Sequence, residues 1–470
     1  MNQPHTYSFL TRNNSDSRLN PRSAPHKLGS TGVSILLVLA TLAACGGGGG
    51  GGDGGGSTAA PPRSNVAGLV YVRTSDLSGD VSAYTIDAST GALSPAVSRA
   101  IARGFSIPST SDPSGRFAYV LNYGTGKIFA YAIDPETGEF SEVAGSPFGA
   151  GTPSHSSSFL TVDPSGKFAY VANYRTVSVY AINTSTGALS EIAGSPFAVG
   201  LPVETDVPEN HVSIDPSGKF AYVAHQGDSI WAYALNASTG ALSEIPGSPF
   251  ATGIGSRPYH VTFEPLGRFA YAVRTGGVPS LLAYSVNGAT GALSEVAGSP
   301  FEVKAFPDSL GLHLSFHPSG RFAYVVSINA RNYSTSTVAV YAINADNGAL
   351  SEVPGSPFTA RQYPQSVTVD PSGKFAYVGN RLDASVSAYT INPASGVLSE
   401  IAGSPFAAGN LPESVRVDPS GQFAYVANTG SGNVSAYKID ASTGALSEVE
   451  GSPFPAGGSP AELTITRPKK

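Results

Sequence analysis

The sequence predicts an all-β chain made of copies of one small antiparallel sheet, and three observations carry that expectation. The first is repetition: "DPSGKFAYVAN" at Asp163 returns as "DPSGKFAYVAH" at Asp215, "DPSGKFAYVGN" at Asp370 and "DPSGQFAYVAN" at Asp418. A segment restated this closely is one supersecondary unit copied along the chain. The second is composition: 55 Gly and 36 Pro among 470 residues, with 10% aromatics, fit a turn-rich β protein and not a disordered one. The third is period. After residue 65 the apolar residues come in short runs bounded by Gly, Pro, Asp and Ser, and no helical period is found.

Aligning on "FAYV" and "TGALSE" gives eight copies at spacings of 48 to 53 residues. Each holds four β-type runs; in the third they read "FLTV", "FAYVAN", "VSVYAI" and "ALSEIAG". The first two are joined by Asp-Pro-Ser-Gly, where Asp accepts from the backbone, Pro presets φ and Gly tolerates positive φ. The last two are joined by a Ser-Thr-Gly type turn. Such a meander, apolar on both faces, must stack on a neighbour at each side, and radial stacking is the β-propeller. The ends favour a closed ring. The first copy lacks a convincing first strand, while the chain finishes with a surplus one, "AELTITRP" from Ala461, which completes the N-terminal blade. Eight copies imply eight four-stranded blades, with seven as the alternative, and the first two copies are the least regular. Sixteen of the 22 tyrosines occupy repeated slots and are packing residues first. The outer run carries a recurring glutamate (Glu142, Glu191, Glu244, Glu295, Glu352, Glu400, Glu448), read as a solvated guard on an exposed edge.

Ahead of the repeats, Arg12, Arg18, Arg22 and Lys27 precede the apolar run "VSILLVLATLAA" and then Cys45, the single cysteine. These are the parts of an export signal, and the run is too short to span a bilayer of about 30 Å. "LAAC" resembles the lipobox of bacterial lipoproteins, which implies lipidation of Cys45. The Gly-rich stretch after it cannot bury apolar surface and reads as a flexible tether. The expected organisation is an export signal over 1–44, a tether over 45–64 and a propeller over 65–470. The expected location is extracytoplasmic, periplasmic or at the cell surface, with membrane contact through the lipid anchor only.

Charged residues are 13% of the chain, the formal net charge is -6, and no basic run follows residue 65, so nucleic acid is set aside. No G-x-S-x-G, H-E-x-x-H or P-loop motif occurs, and no cofactor is called for. Candidate chemistry lies where the copies disagree. The start of the first run holds Phe159, His211, His260, His313, Ser366 and Ser414, with Glu462 as the counterpart in the closing strand. Fourteen residues on, the second run ends at Asn173, His225, Arg274, Ser327, Asn380 and Asn428. The hairpin is expected to bring the two slots side by side at one mouth of the channel, pairing His211 with His225, His260 with Arg274 and His313 with Ser327. Connecting loops add Glu204 and Arg257. Imidazoles near neutrality and a planar guanidinium suit proton transfer and the grip of an anionic group. The plainer alternative is that these side chains only solvate the rim and cap strand ends. A metal would need neutral imidazoles converging at about 2.0 to 2.1 Å on one ion; no metal is assigned.

"DPSGKFAYVANY", the "VSVYAINTSTGALSEI" run and the proline-led "RPYHVTFEP" together resemble the bacterial propeller lactonase family, which includes 6-phosphogluconolactonase-like and carboxymuconate-cyclase-like proteins. "YVAN" is also similar to YVTN-type repeats. The resemblance covers nearly all of residues 65 to 468 and implies lactone hydrolysis or formation by His, Arg and Glu groups at the channel mouth. The positions that match are His211, His260, Arg274 and Glu204 as catalytic groups. His225, His313 and Arg257 complete the expected site as substrate-binding groups. The residues themselves leave two classes open, a carboxylic ester hydrolase acting on a lactone and a non-catalytic module that binds a small molecule, glycan or protein at its upper rim.

Overall fold

The computed structural model describes residues 65–467 apart from 76–79, 97–109, 123, 152–158, 174, 200–209, 226–227, 275–277, 304–308 and 330–335. The export signal, the tether, Cys45 and Glu204 therefore lie outside the described residues. The described chain forms eight antiparallel sheets. In the third, an inner strand Phe159–Val162 pairs with Phe168–Ala172, which pairs with Thr176–Ile182, which pairs with the outer strand Leu189–Glu191. Eight apolar clusters fill the seams between successive blades, the last joining Phe423 and Tyr425 of blade 8 to Val70 and Val72 of blade 1.

The ring closes as expected. Pro460–Thr466 pairs antiparallel with Val66–Thr74, setting Val70 against Ile465 and Val72 against Leu463, so the last strand becomes the innermost strand of blade 1. The four-strand expectation needs one correction. In blades 2 to 8 the outer edge is broken, and a second short strand continues it, as Phe197–Ala198 does beside Thr176 and Val177. Between the pieces, the hydroxyl of Ser195 accepts the backbone N–H of Val179 at 3.0 Å. The side chain thus stands in for the missing ladder carbonyl.

The repeated letters have a physical cause at the turn end of each blade. The Asp163 carboxylate accepts the N–H groups of Ser165, Lys167 and Phe168, which locks the hairpin between the first two strands. Phe168 lies against Gly240 in the turn of the next blade, where φ is +76° and an added Cβ would sit 2.4 Å from the ring. Tyr170 then donates its hydroxyl to the carbonyl of Gly240 at 3.2 Å. The same tyrosine-to-glycine bond recurs from Tyr119 to Tyr377, and Tyr425 to Gly91 at 2.9 Å repeats it across the closure. Two copies change the turn acid and keep its job. Glu264 accepts from Leu266 and Arg268, and His317 accepts from Ser319 at Nδ1 while Nε2–H donates to Gly373 O at 2.9 Å.

Candidate active site at the channel mouth

Inner-strand residues alternate between neighbours. Val212 packs on blade 3, so its neighbour His211 faces blade 5, while His260, at the bulge of the blade 5 inner strand, reaches back to Ser213 and His211 of blade 4. His211 stacks on Phe159 with ring centroids 3.4 Å apart and meets His260 edge-on at 5.4 Å. His260 is held at both nitrogens by hydroxyls, Ser213 Oγ at 3.2 Å from Nε2 and Thr262 Oγ1 at 2.9 Å from Nδ1. Either ring nitrogen can be donor or acceptor there, so the proton can change sides with a hydroxyl rotation. His211 is 3% exposed, and burial, then the neighbouring His260, hold its pKa well below the usual imidazole value. His211 therefore sits as a neutral ring against His260.

The expected pairing within each hairpin is not what the backbone makes. Register sets His211 opposite Ala224, Pro258 opposite Arg274 and His313 opposite Val326, so positions 225, 274 and 327 are one step out from their histidines. Side chains alternate along a strand, and one step puts them on opposite faces. Arg274 shares its face with Ala270 and Ala272, which pack on blade 4. It therefore lies across the 4/5 seam from His211. Its Nε is buried without a hydrogen-bond partner among the described residues, while the residue as a whole is part-exposed. His225 ends the strand Phe220–His225 opposite Asn210. Arg257 is exposed on the loop entering blade 5, where the Asp228 carboxylate accepts its N–H at 3.2 Å and that of Gly255 at 2.7 Å. His313 is separate from the pair. Its Nδ1 accepts the N–H of Val367 on blade 7 at 3.4 Å, as Ser366 Oγ accepts Val415 N–H at the next seam. At His313 and Ser366, then, the expectation that slot residues bond strand ends describes the geometry.

A second polar group went unread in the sequence. Glu413 is 2% exposed and receives Arg381 Nε at 2.8 Å and Gln365 Nε2 at 3.0 Å, and burial raises its pKa against the pull of Arg381. Beside it on blade 1, Arg73 pairs with Glu462 at 3.5 Å. Glu413 is the extra residue of a bulge between Pro412 and Ser414, so it drops out of a slot comparison that counts to Ser414. Among the described residues no three of His, Cys, Asp and Glu gather as metal ligands.

The sequence profile of the family described as "Lactonase, 7-bladed beta-propeller" matches residues 68–296 and 276–461. The chain belongs to this lactonase family. It closes with eight blades where the family is named for seven. Relatives named 6-phosphogluconolactonase include one from Formosa agariphila, 27% identical over 281 residues (57% of this chain, 76% of that one), and one from Pectobacterium carotovorum, 28% identical over 272 residues (57% and 75%). The periplasmic gluconolactonase of Pseudomonas aeruginosa superposes with a TM-score of 0.52 at 19% identity, covering 85% of this chain and 98% of that one. The dihydro-heme d1 dehydrogenase NirN superposes with a TM-score of 0.51 at 13% identity, covering 86% and 77%. A lactonase-family propeller thus shares its frame with quite different chemistry, and activity has to be argued from the site.

Proposed function

We propose that this lactonase-family propeller hydrolyses a lactone at the mouth of the 4/5 seam. The observation that carries the reading is the His211–His260 contact, 5.4 Å between ring centroids, with Arg274 on the blade 5 wall of the 4/5 seam that His211 faces. In this reading a water oxygen attacks the lactone carbonyl and gives its proton to His260, directly or through the Ser213 hydroxyl. The ring C–O bond then breaks, and His260 returns the proton to the departing alkoxide, leaving a hydroxy acid. His211, too deeply buried to charge easily, keeps the His260 ring oriented. Arg274 grips the anionic group of the substrate, Arg257 lies on the loop entering blade 5, and Glu204 is kept as a candidate acid outside the described residues. Membership of a lactonase family supports the reaction class.

A non-catalytic binding module remains the second reading, favoured by the engagement of both His260 nitrogens with hydroxyls. A panel of lactones separates the two. His260→Ala is expected to lower kcat by about 10²-fold or more, and Arg274→Ala to raise KM for anionic lactones while sparing neutral ones. Equal turnover in all three proteins would remove this site. The chain is further proposed to be exported and held by a lipid on Cys45, with its ligand met at the upper rim.

A further inference from the structure

We infer that Thr262 and Ser213 together lock neutral His260 with its proton on Nδ1 and its lone pair on Nε2, which makes Thr262 a positioning residue for the base. The inference rests on the lactone reading for its consequence, and on hydrogen-bond geometry for its content.

The inner strands carry hydroxyls at matched positions, each opposite the repeated tyrosine of the second strand, among them Thr161, Ser213, Thr262 and Thr368. In blades 3 and 7 this hydroxyl ties its strand to the next inner strand. Thr161 Oγ1 donates to Val212 O at 3.1 Å, and Thr368 Oγ1 donates to Val415 O at 2.6 Å. The same offset would send Ser213 to the carbonyl of Val261 and Thr262 to that of Leu314. Neither tie is made among the described residues. Both hydroxyls meet His260 instead, Ser213 Oγ at 3.2 Å from Nε2 and Thr262 Oγ1 at 2.9 Å from Nδ1. Two successive blades have given up a strand tie to hold one imidazole from both sides.

Burial decides between the two neutral tautomers that this grip allows. Ser213 is buried, and His260 is the one side chain or carbonyl that its hydroxyl meets among the described residues. A proton on Nε2 would take the Ser213 oxygen as acceptor and leave the buried O–H idle, which is costly. A proton on Nδ1 avoids that cost. Ser213 then donates to Nε2, Nδ1–H donates to Thr262 Oγ1, and the half-buried Thr262 can turn its own O–H to water. With the Nε2 lone pair already engaged, the attacking water reaches the base through Ser213. As the water oxygen bonds to the lactone carbonyl, its proton passes to Ser213 Oγ while the serine proton passes to Nε2, so the hydroxyl is regenerated. The charge comes to rest on a ring whose Nδ1–H is already held by Thr262, a bond that strengthens in the imidazolium. The same path in reverse delivers a proton to the departing ring oxygen.

Long-range proton–nitrogen NMR of the full chain labelled with ¹⁵N-histidine reads the tautomer without turnover, the His260→Ala spectrum identifying which signals belong to His260. At neutral pH a protonated Nδ1 and a bare Nε2 are expected. Thr262→Val keeps the shape and removes the acceptor. It should shift the ring toward a proton on Nε2, lower kcat about tenfold, and move the acid limb of kcat/KM down by about half a pH unit or more, because the charged ring loses a hydrogen bond. His211, the titratable ring edge-on to His260, is untouched by the change. Thr262→Ser should restore kcat to within about twofold of the parent and return the acid limb to its place. Thr368→Val, at the matched position where the hydroxyl is a strand tie, should lower the melting temperature and leave the acid limb in place. A parent His260 protonated at Nε2, an unchanged tautomer and acid limb in Thr262→Val, or an equal shift in Thr368→Val would each overturn the inference. A locked Nδ1–H tautomer in a protein that turns over no lactone would uphold the lock and count against the lactone reading alone.

Discussion

The two ends of the propeller are built from the same strands and obey different rules. At the turn end blades 2 to 8 repeat one solution: a carboxylate or imidazole closes the hairpin, a phenylalanine covers a glycine of the next blade, and a tyrosine hydroxyl bonds that glycine's carbonyl. At the other mouth the blades differ, and buried polar atoms of Arg73, Arg274, His313, Gln365, Asn380, Ser414 and Asn428 have no partner among the described residues. The first end spends its polar groups on holding blades together. The second keeps its polar groups available, which is where binding and chemistry become possible.

If that division is right, damage at the turn end should appear as lost stability and damage at the mouth as lost function. The largest expected effect is Gly240→Ala. It forces an alanine to φ +76° and a Cβ to within 2.4 Å of Phe168, so a loss of about 3 kcal/mol or more is expected in denaturant titration. Next comes acid sensitivity set by the mouth. Burial depresses the pKa of His211 and His313, so below the unfolded value of 6.5 the unfolded chain binds protons that the folded chain refuses. Their stabilising contribution is full above that value and falls as pH drops toward the depressed folded values, at about 1.4 kcal/mol per pH unit for each histidine. Melting measured from pH 7 to pH 5 should show this slope, to which the depressed His317 also contributes, and His313→Ser should remove one histidine's share of it; an unchanged slope would contradict the burial argument. The smallest effect is Tyr222→Phe, which deletes the 2.8 Å bond to Gly291 O and should cost about 1 kcal/mol.

How much of this was legible beforehand differs between the ends for the same reason. The turn end is written in short local patterns, Asp-Pro-Ser-Gly and Ser-Thr-Gly, whose chemistry acts within a few residues, so strand order, blade count and closure by the last strand could be read directly. The mouth depends on register. A spacing of fourteen between His260 and Arg274 identifies the same end of the blade, but only the register, with Pro258 opposite Arg274 and a bulge before Val261, reveals that the two are not paired across the hairpin. The bulge at Pro412 hid Glu413 from the slot comparison. The seven short strands after "GSP" went unread because two or three residues are too few to show any period.

The most direct test sets one variant from each end side by side in the same lactone assay. His260→Ala should keep the melting temperature within a degree or two and lose about 10²-fold or more in kcat, while Tyr222→Phe should lower the melting temperature and keep kcat within about twofold. Losses of turnover that simply follow losses of stability in both proteins would contradict the division of labour between the two ends.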